Sequence, residues 1–183
     1  MCINPNVKGW RILKNNFQKI LSMDLSLNLP AFCVAEINDG KFTIIELSHV
    51  DNKKKTKFTT AQKLQEIANE IRRLIDKHGP FDVIVREKGF SRFANTTQLL
   101  FRVVGISDLI AIENGDCVAI EELPPATVKV AVAGYSRASK EEVEEGVRNF
   151  LSAEQKKIEF YSDDESDAAA VGLAFCMKKG VLK

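Results

Sequence analysis

The stretch ILSMDLSLNLPAFCVAEINDGKFTIIEL, residues 20–47, decides the fold, because it contains three strand-like segments joined by short connections. The segments cover residues 20–25, 31–37 and 42–47. Asn38, Asp39 and Gly40 are a strong tight-turn signal, so the second and third segments are predicted to form a hairpin. Three consecutive strands with short connections predict a sheet that begins as an antiparallel arrangement.

Beyond this stretch, apolar strands alternate with helices. A helix is predicted over residues 60–78, because apolar side chains recur at helical spacing and Thr59 with Gln62 forms a plausible capping box. An almost wholly apolar strand over residues 81–85 follows, as expected for a strand buried on both faces. The later predicted elements are a helix over 91–104 ended by Gly105, an apolar segment over 106–112 that fits helix or strand, and a short strand over 117–120.

Three further helices are predicted in the last third of the chain. Pro124 and Pro125 open the first of them, since proline is tolerated in a first helical turn. The second begins with a capping box of Ser139 and Glu142, and the third begins with a box of Ser162 and Glu165 and runs to Lys179.

The predicted element order is β-β-β-α-β-α-β-α-α-α. This order predicts an α/β fold with a five-stranded mixed sheet, antiparallel on one side and parallel on the other, flanked by helices. The 183 residues fit one domain, assigned to residues 19–183. Residues 1–18 form a basic extension in front of it, with Lys8, Arg11 and Lys14 and no acidic residue.

Composition excludes several classes of protein. The sequence has no apolar stretch near the ~18 residues that a membrane span needs, and its first residues lack the apolar block of a secretory signal. The four cysteines are scattered without a Cys-x-x-Cys pair, which predicts a reducing cytoplasm and supports neither a zinc site nor a disulfide framework. Net charge is only +1, but residues 53–57 read Lys-Lys-Lys-Thr-Lys. Such a run is either solvated surface or a grip on a phosphate backbone.

Four acidic residues are placed where they can converge. Asp24 closes the first strand, Glu87 follows the strand over 81–85, and Asp164 and Asp167 stand three apart at the start of the last helix. Ligands bind beyond the carboxyl ends of parallel strands. The helix dipole alone accounts for an acid such as Asp164 in the first turn, but it does not account for Asp167.

Converged carboxylates repel one another unless cations neutralise them, and hard oxygen ligands favour Mg²⁺ or Mn²⁺. Two metal ions could use all four acids, one to activate water and one to stabilise the leaving oxygen of an in-line displacement. The acids therefore predict a metal-dependent phosphodiesterase.

Two residues near these acids, Phe90 and Lys140, each have two interpretations. Phe90, flanked by Lys88 and Arg92, is either a core side chain or a platform for base stacking. Lys129 lies in an otherwise apolar helix and is expected at its exposed position. Lys140 follows the Ser139 cap, where it is either an ordinary surface lysine or part of a phosphate site at a helix N-terminus.

Together these motifs resemble the RuvC-type Holliday junction resolvases of the RNase H-like superfamily. The resemblance spans residues 19–179 in the family order. It is carried by Met-Asp24-Leu-Ser, Val-Arg-Glu87-Lys-Gly-Phe90, Pro-Ala-Thr-Val-Lys129 through Gly134, Ala-Ser-Lys140 and Asp164-Glu-Ser-Asp167-Ala-Ala.

The resemblance implies an RNase H-like fold and an enzyme that cuts branched DNA. It implies that two Mg²⁺ ions, or Mn²⁺ in their place, are held by catalytic acids, namely Asp24, Glu87, Asp164 and Asp167. It also implies that Phe90 wedges into the bases of the junction, and that Lys129 and Lys140 lie near the scissile phosphate. A homodimer would make two symmetric nicks across a four-way junction.

The chain departs from the usual family pattern at residues 25–30, which replace a Pro-Gly-type turn, and at residues 1–18, which have no counterpart. These departures resemble phage-encoded members, so cleavage of other branched DNA is a further expectation. Two alternatives stay open: a non-catalytic RNase H-like DNA-binding or scaffolding protein, and a related nuclease for flaps or RNA–DNA hybrids.

Overall fold

The computed structural model describes residues 18–89, 93–113 and 120–182. The predicted extension 1–18 therefore lies outside the described residues, apart from Gln18. The strands are β1 (Lys19–Asp24), β2 (Ala31–Asn38), β3 (Lys41–His49), β4 (Val83–Glu87) and β5 (Ile120–Leu123). The α-helices are α1 (Thr60–His78), α2 (Ala94–Glu113), α3 (Pro125–Ala133), α4 (Lys140–Phe150) and α5 (Asp163–Lys178), with a short 3₁₀ helix at Gln155–Lys157.

The five strands form one mixed sheet in the order β3-β2-β1-β4-β5. The pairs β1–β2 and β2–β3 are antiparallel, whereas β1–β4 and β4–β5 are parallel. Asp39 and Gly40 take positive φ angles of 53° and 78° in the β2–β3 turn, as tight hairpin turns require. The predicted mixed sheet and its hairpin are confirmed.

Side chains alternate between the two faces of the sheet and build a separate apolar core on each. Ile20 and Val83 belong to the core beneath α3, α4 and α5, whereas Leu21 and Ile84 belong to the core beneath α1 and α2. Helix α5 is the central element of its layer, because residues 168–176 are all buried. None of the helices in the described ranges is long and apolar enough to cross a membrane.

Small residues let α5 lie close to the sheet. A Cβ atom added to Gly172 would stand 2.7 Å from Ser22 Oγ, 3.1 Å from Ser22 Cβ and 3.2 Å from Ile20 Cδ1. The Ser22 hydroxyl is held in place by donating to the Cys33 carbonyl, 3.3 Å away. The distance between α5 and β1, and therefore the position of the acids at the start of α5, depends on the absence of a side chain at residue 172.

We expect Gly172→Val to lower the free energy of unfolding by about 1–3 kcal/mol, because added methyl groups overpack a closed contact. Helix propensity alone predicts the opposite sign, since valine is a better helix former than glycine. Urea unfolding of the purified variant and the wild type measures the difference. An unchanged or raised stability would contradict the close packing of α5 on β1.

The predicted boundaries of β4, α2 and β5 are wrong. The strand predicted over 81–85 is β4, which covers Val83–Glu87. Helix α2 does not end at Gly105 but continues to Glu113, so the ambiguous segment 106–112 is helical. A Cβ at Gly105 would meet open space, and the cost of about 1 kcal/mol for a helical glycine is outweighed by burial of Val103 and Ile110 on one face of the helix. The strand predicted over 117–120 does not end at Ile120 but continues to Leu123 in β5, and residues 117–119 lie outside the described part of the chain.

The capping predictions are confirmed for two helices and wrong for the third. Both members of the box are present at α1 (Thr59 and Gln62) and at α4 (Ser139 and Glu142). Ser162 precedes α5 but makes no side-chain cap bond. Glu165 is drawn elsewhere, because its carboxylate accepts hydrogen bonds from His49 Nδ1 at 2.7 Å and from the Tyr161 backbone N–H at 2.8 Å.

Candidate metal centre

Two of the predicted acids end neighbouring parallel strands. Met23 pairs with Arg86 in the β1–β4 register, so Asp24 and Glu87 stand next to each other as the final residues of their strands. Because side chains alternate along a strand, Asp24 lies on the same face as Ile20, and Glu87 on the same face as Val83. This is the face that α5 covers.

Helix α5 delivers two further carboxylates to this edge of the sheet. It runs antiparallel to β1, with Gly172 over Ser22 and its first turns over the end of the strand. Asp164 and Asp167 share a helix face at i, i+3 spacing. One ligand oxygen from each of Asp24, Asp164 and Asp167 lies within 4.8 Å of the others, the distance expected of groups that share a cation. Glu87 is not one of this set of three, but its charge is coupled to that of Asp167.

Burial and mutual repulsion raise the pKa values of Asp24, Glu87 and Asp167. Burial, followed by the charges of Glu87, Asp167 and Asp164, raises the pKa of Asp24 to about 8. Burial and the charge of Asp167 raise the pKa of Glu87 to about 7, even though Lys129 and Lys140 act to lower it. Burial also raises the pKa of Asp167. A bound cation would favour the deprotonated form of these carboxyl groups.

Two lysines provide positive charge beside the acids. The Lys140 ammonium lies 3.4 Å from Asp167 and 3.7 Å from each of Asp163 and Asp164. Although burial opposes it, this carboxylate environment raises the pKa of Lys140. Lys129 is half-buried and donates to the Ala138 carbonyl at 2.6 Å, so the expectation that it occupies the exposed position of its helix is wrong. Val130 takes the exposed position.

The donor set fits a divalent cation. All of the grouped ligand atoms are carboxylate oxygens, which hard cations such as Mg²⁺ and Mn²⁺ prefer. Burial raises the pKa values of Asp24 and Asp167, and the Lys140 ammonium lies 3.4 Å from Asp167, so additional positive charge at this point would be stabilised. Asp24, Asp164 and Asp167 are the groups close enough to share one ion.

The structure describes only one of the three other predicted DNA contacts, Lys88. Lys88 is exposed directly after β4, with its backbone N–H bonded to the Leu123 carbonyl at 2.8 Å. Phe90 and Arg92 lie outside the described residues. Arg86, the residue before Glu87, is buried on the opposite face of the sheet.

Arg86 has a structural role that the sequence analysis does not predict. Its guanidinium binds Glu122 at 2.9 Å and Ser107 at 2.9 Å and forms an ion pair with Asp108, so it ties β4 to β5 and α2. Strand alternation could have predicted this position. Because side chains alternate along a strand, Arg86 must lie on the face opposite to Glu87. Arg86 thereby supports the strand end that carries Glu87.

The sheet order and the carboxylates at the ends of β1 and β4 are those predicted for the class of RNase H-like, metal-dependent nucleases. A family model described as "Crossover junction endodeoxyribonuclease RuvC" matches residues 20–176. The chain belongs to this RuvC family of resolvases.

Individual comparisons agree with the family. A crossover junction endodeoxyribonuclease RuvC from Alkaliphilus metalliredigens is 29% identical over 154 residues, covering 84% of this chain and 90% of the relative. The Thermus thermophilus RuvC, solved in complex with a Holliday junction substrate, superimposes with a TM-score of 0.76 at 21% identity, covering 91% of this chain and 98% of that one. The yeast mitochondrial Holliday junction resolvase has a TM-score of 0.65 at 17% identity and covers 90% of this chain and 82% of its own. At these identities the structural likenesses show the fold.

Proposed function

We propose that this chain is a divalent-metal-dependent endonuclease that resolves four-way DNA junctions by paired nicks. One observation carries the proposal: within a RuvC-family chain, ligand oxygens of Asp24, Asp164 and Asp167 lie within 4.8 Å of one another at the carboxyl edge of the sheet. A non-catalytic scaffolding protein has no need of this costly cluster, since buried carboxylates without cations destabilise a fold.

The residues that would hold the cations are the four acids at this edge: Asp24, Glu87, Asp164 and Asp167. We propose two Mg²⁺ ions per site, with Mn²⁺ as a substitute. When bound, such a pair supplies an activated water and stabilises the leaving oxygen of an in-line displacement. Lys140 and Lys129 would contact the scissile phosphate, because both ammonium groups already sit in the field of these carboxylates. Their removal should lower the rate of cleavage more than the affinity for DNA.

Contacts to the junction beyond the scissile phosphate are proposed for Lys88, Phe90 and Arg92. Lys88 supports this by its exposure at the carboxyl edge, one residue after the acid Glu87. The roles of Phe90 in stacking and of Arg92 in backbone contact rest on the sequence motif.

We also propose that residues 19–183 act as one nuclease domain, with residues 1–18 as a basic extension. Because the substrate is DNA, we propose the cytoplasm of a bacterial or phage-infected cell as the place of action.

We further propose a homodimer, which would supply two sites for two nicks. Helix α2 supports this with large apolar side chains on its outer face, where Phe101 is 61%, Leu109 54% and Ile112 74% exposed. Their spacing of eight and three residues keeps them on one stripe, away from the buried Val103 and Ile110. An exposed apolar stripe of this kind is typical of an interface.

Leu109→Asp is expected to convert the dimer to a monomer, because a carboxylate in an apolar interface is left without a partner. Light scattering after size-exclusion chromatography measures the mass. Gln65→Asp, which adds the same charge to the exposed face of α1, is the matched control and should remain dimeric. A dimeric Leu109→Asp protein would contradict an interface on α2.

The function is tested by comparing substrates in Mg²⁺. Four-way junctions, three-way junctions, flaps, duplexes and RNA–DNA hybrids of the same sequence are incubated with the purified protein, and initial rates are compared. We expect the four-way junction to be cut fastest and the linear duplex to stay intact. Preferred cleavage of the hybrid or the flap would assign the site to a different nuclease activity.

A further inference from the structure

The lysine-rich segment that follows β3 lies at the same edge of the sheet as the carboxylate cluster. We call residues 51–57 the lysine loop. His49, at the end of β3, pairs with Ala31 of β2, and Ala31 pairs with Asp24. Two interstrand spacings, roughly 10 Å, therefore separate the start of this loop from the catalytic edge of β1.

The lysine loop is held in a defined position by a buried polar side chain. Asn52 is fully buried, and its amide nitrogen donates to the carbonyls of Leu27 at 3.0 Å and Lys63 at 3.1 Å. Its backbone N–H also donates to the Asn28 carbonyl at 2.9 Å. Because Leu27 and Asn28 belong to the connection after Asp24, the loop is fixed relative to the first catalytic strand.

A second set of contacts ties the loop to the start of α5. The Lys54 ammonium donates to the Tyr161 hydroxyl at 3.2 Å, and the Tyr161 ring stacks on His49 with centroids 4.0 Å apart. Glu165 in turn accepts from His49 Nδ1 at 2.7 Å and from Tyr161 N–H. Because Tyr161 lies two residues before α5 and Glu165 immediately follows Asp164, this chain of contacts connects Lys54 to the start of the helix that carries Asp164 and Asp167.

The lysine loop presents more positive charge than its surroundings neutralise. It contains four lysines and one aspartate, Asp51. Lys53 and Lys57 are exposed, and the Lys54 side chain is 76% exposed even though it pairs with Asp51 at 2.9 Å. Exposed ion pairs contribute little free energy, so Lys54 can exchange this partner for a phosphate at small cost. Lys55 is committed to Glu66.

We propose that the lysine loop is a phosphate-binding surface for the DNA strand that continues from the cleavage site, with Lys53, Lys54 and Lys57 as its contacts. This inference rests on the proposed function, because it supposes that the scissile phosphate lies at the carboxylate cluster. The DNA strand that leaves the carboxylate cluster has to pass either over the β1–β2 connection, toward β3, or over another side of the cluster. On the β3 side it meets a preformed cationic surface within a few nucleotides, at an axial rise of about 3.4 Å per nucleotide.

The charge test uses the variant Lys53→Ala/Lys54→Ala/Lys57→Ala in the full-length protein. Its matched control is Lys41→Ala/Lys77→Ala/Lys178→Ala, which removes three exposed lysines at the opposite end of the sheet. Dissociation constants for a four-way junction are measured in Ca²⁺ at several salt concentrations. We expect the loop variant to bind about tenfold more weakly at low salt, with a log–log salt slope shallower by roughly 2–3, close to one unit per lost phosphate contact. The control variant should keep the wild-type slope.

A phosphate-by-phosphate test locates the contact on the DNA. Single methylphosphonates, which lack the phosphate charge, are placed at successive positions on either side of the cut. We expect one to three positions on one side, within a few nucleotides of the cut, to weaken binding by the wild-type protein and to have no further effect on the loop variant.

The outcomes separate this inference from the function on which it rests. If the wild type cuts the junction but the loop variant matches the control in affinity and slope, the inference is wrong while the function stands. If methylphosphonates weaken both proteins equally at every position, the lysine loop does not contact the strand. A wild type that neither binds nor cuts a junction would overturn the function and the inference together.

Discussion

Asp24→Asn is expected to reduce cleavage of a four-way junction by about a thousandfold or more while leaving junction affinity within a few-fold of the wild type. The asparagine amide has nearly the same shape, but it carries no charge to hold a cation between β1 and α5. Loss of metal-assisted stabilisation of the transition state costs several kcal/mol, which corresponds to that loss of rate. Single-turnover cleavage in Mg²⁺ and binding in Ca²⁺ measure the two properties separately.

Asp82→Asn is the matched control for this experiment. Asp82 stands at the opposite end of the sheet, where its carboxylate accepts hydrogen bonds from the backbone N–H groups of Gln18 and Lys19, both at 2.9 Å. An asparagine oxygen can still accept these bonds, so the control should cut at close to the wild-type rate. Asp167→Asn should behave as Asp24→Asn does, and retained cleavage by either purified variant would refute the assignment of the metal site.

The second large effect concerns stability, pH and divalent cations. Without metal, folded Asp24 keeps its proton up to about pH 8 and Glu87 up to about pH 7, whereas the unfolded chain releases these protons near pH 4. The unfolded state therefore binds fewer protons across this window, so the free energy of unfolding should fall as the pH rises from about 4 to 8.

Divalent cations should reverse this loss of stability. They bind the deprotonated carboxylates, so their stabilising effect should increase as the pH rises toward 8 and beyond. At a free cation concentration of 100 times the dissociation constant, one site contributes about 2.7 kcal/mol. Urea unfolding with EDTA or with Mn²⁺, at pH 5.5 and pH 8.5, measures both effects. Asp24→Asn should reduce both the pH dependence of the free energy of unfolding and its increase with Mn²⁺. A wild-type protein whose stability changes with neither pH nor Mn²⁺ would contradict a cation site here.

The elements with local signals could be predicted from the sequence. Helix α1 begins and ends where its apolar stripe and the box of Thr59 and Gln62 place it. Asp39 and Gly40 fix the hairpin, because their positive φ angles suit this turn. The placement of Asp24 and Glu87 followed from strand ends and parallel pairing. All of these features depend on residues that are close in the chain or on a general rule of sheet geometry.

The features that the sequence could not supply depend on residues distant in the chain. Glu165 looks like the partner of the Ser162 cap, but His49, 116 positions away, takes its carboxylate instead. Gly105 looks like a helix stop, but Val103 and Ile110 on either side of it are both buried in one continuous helix. The sequence predicts an exposed Lys129, because it does not show that the ammonium donates to the carbonyl of Ala138, nine residues away.

Asp167 is the acid whose placement in the structure adds most to the sequence reading. Helix-dipole effects account for an acid in the first turn of α5 but not for Asp167. Its carboxylate lies in the cluster with Asp24 and within 3.4 Å of the Lys140 ammonium. The position of Asp167 is therefore explained by contacts between β1, α4 and α5 and not by its neighbours in the sequence.

The most direct measurement of the central proposal is the reaction of the wild-type protein with a four-way junction labelled on each strand in turn. We expect Mg²⁺ to start the release of two nicked duplexes, with cuts at symmetry-related positions in two opposing strands, and EDTA to prevent it. Tight binding of the junction without any nick in Mg²⁺ or Mn²⁺ would contradict the assignment and identify the chain as a non-catalytic DNA-binding protein.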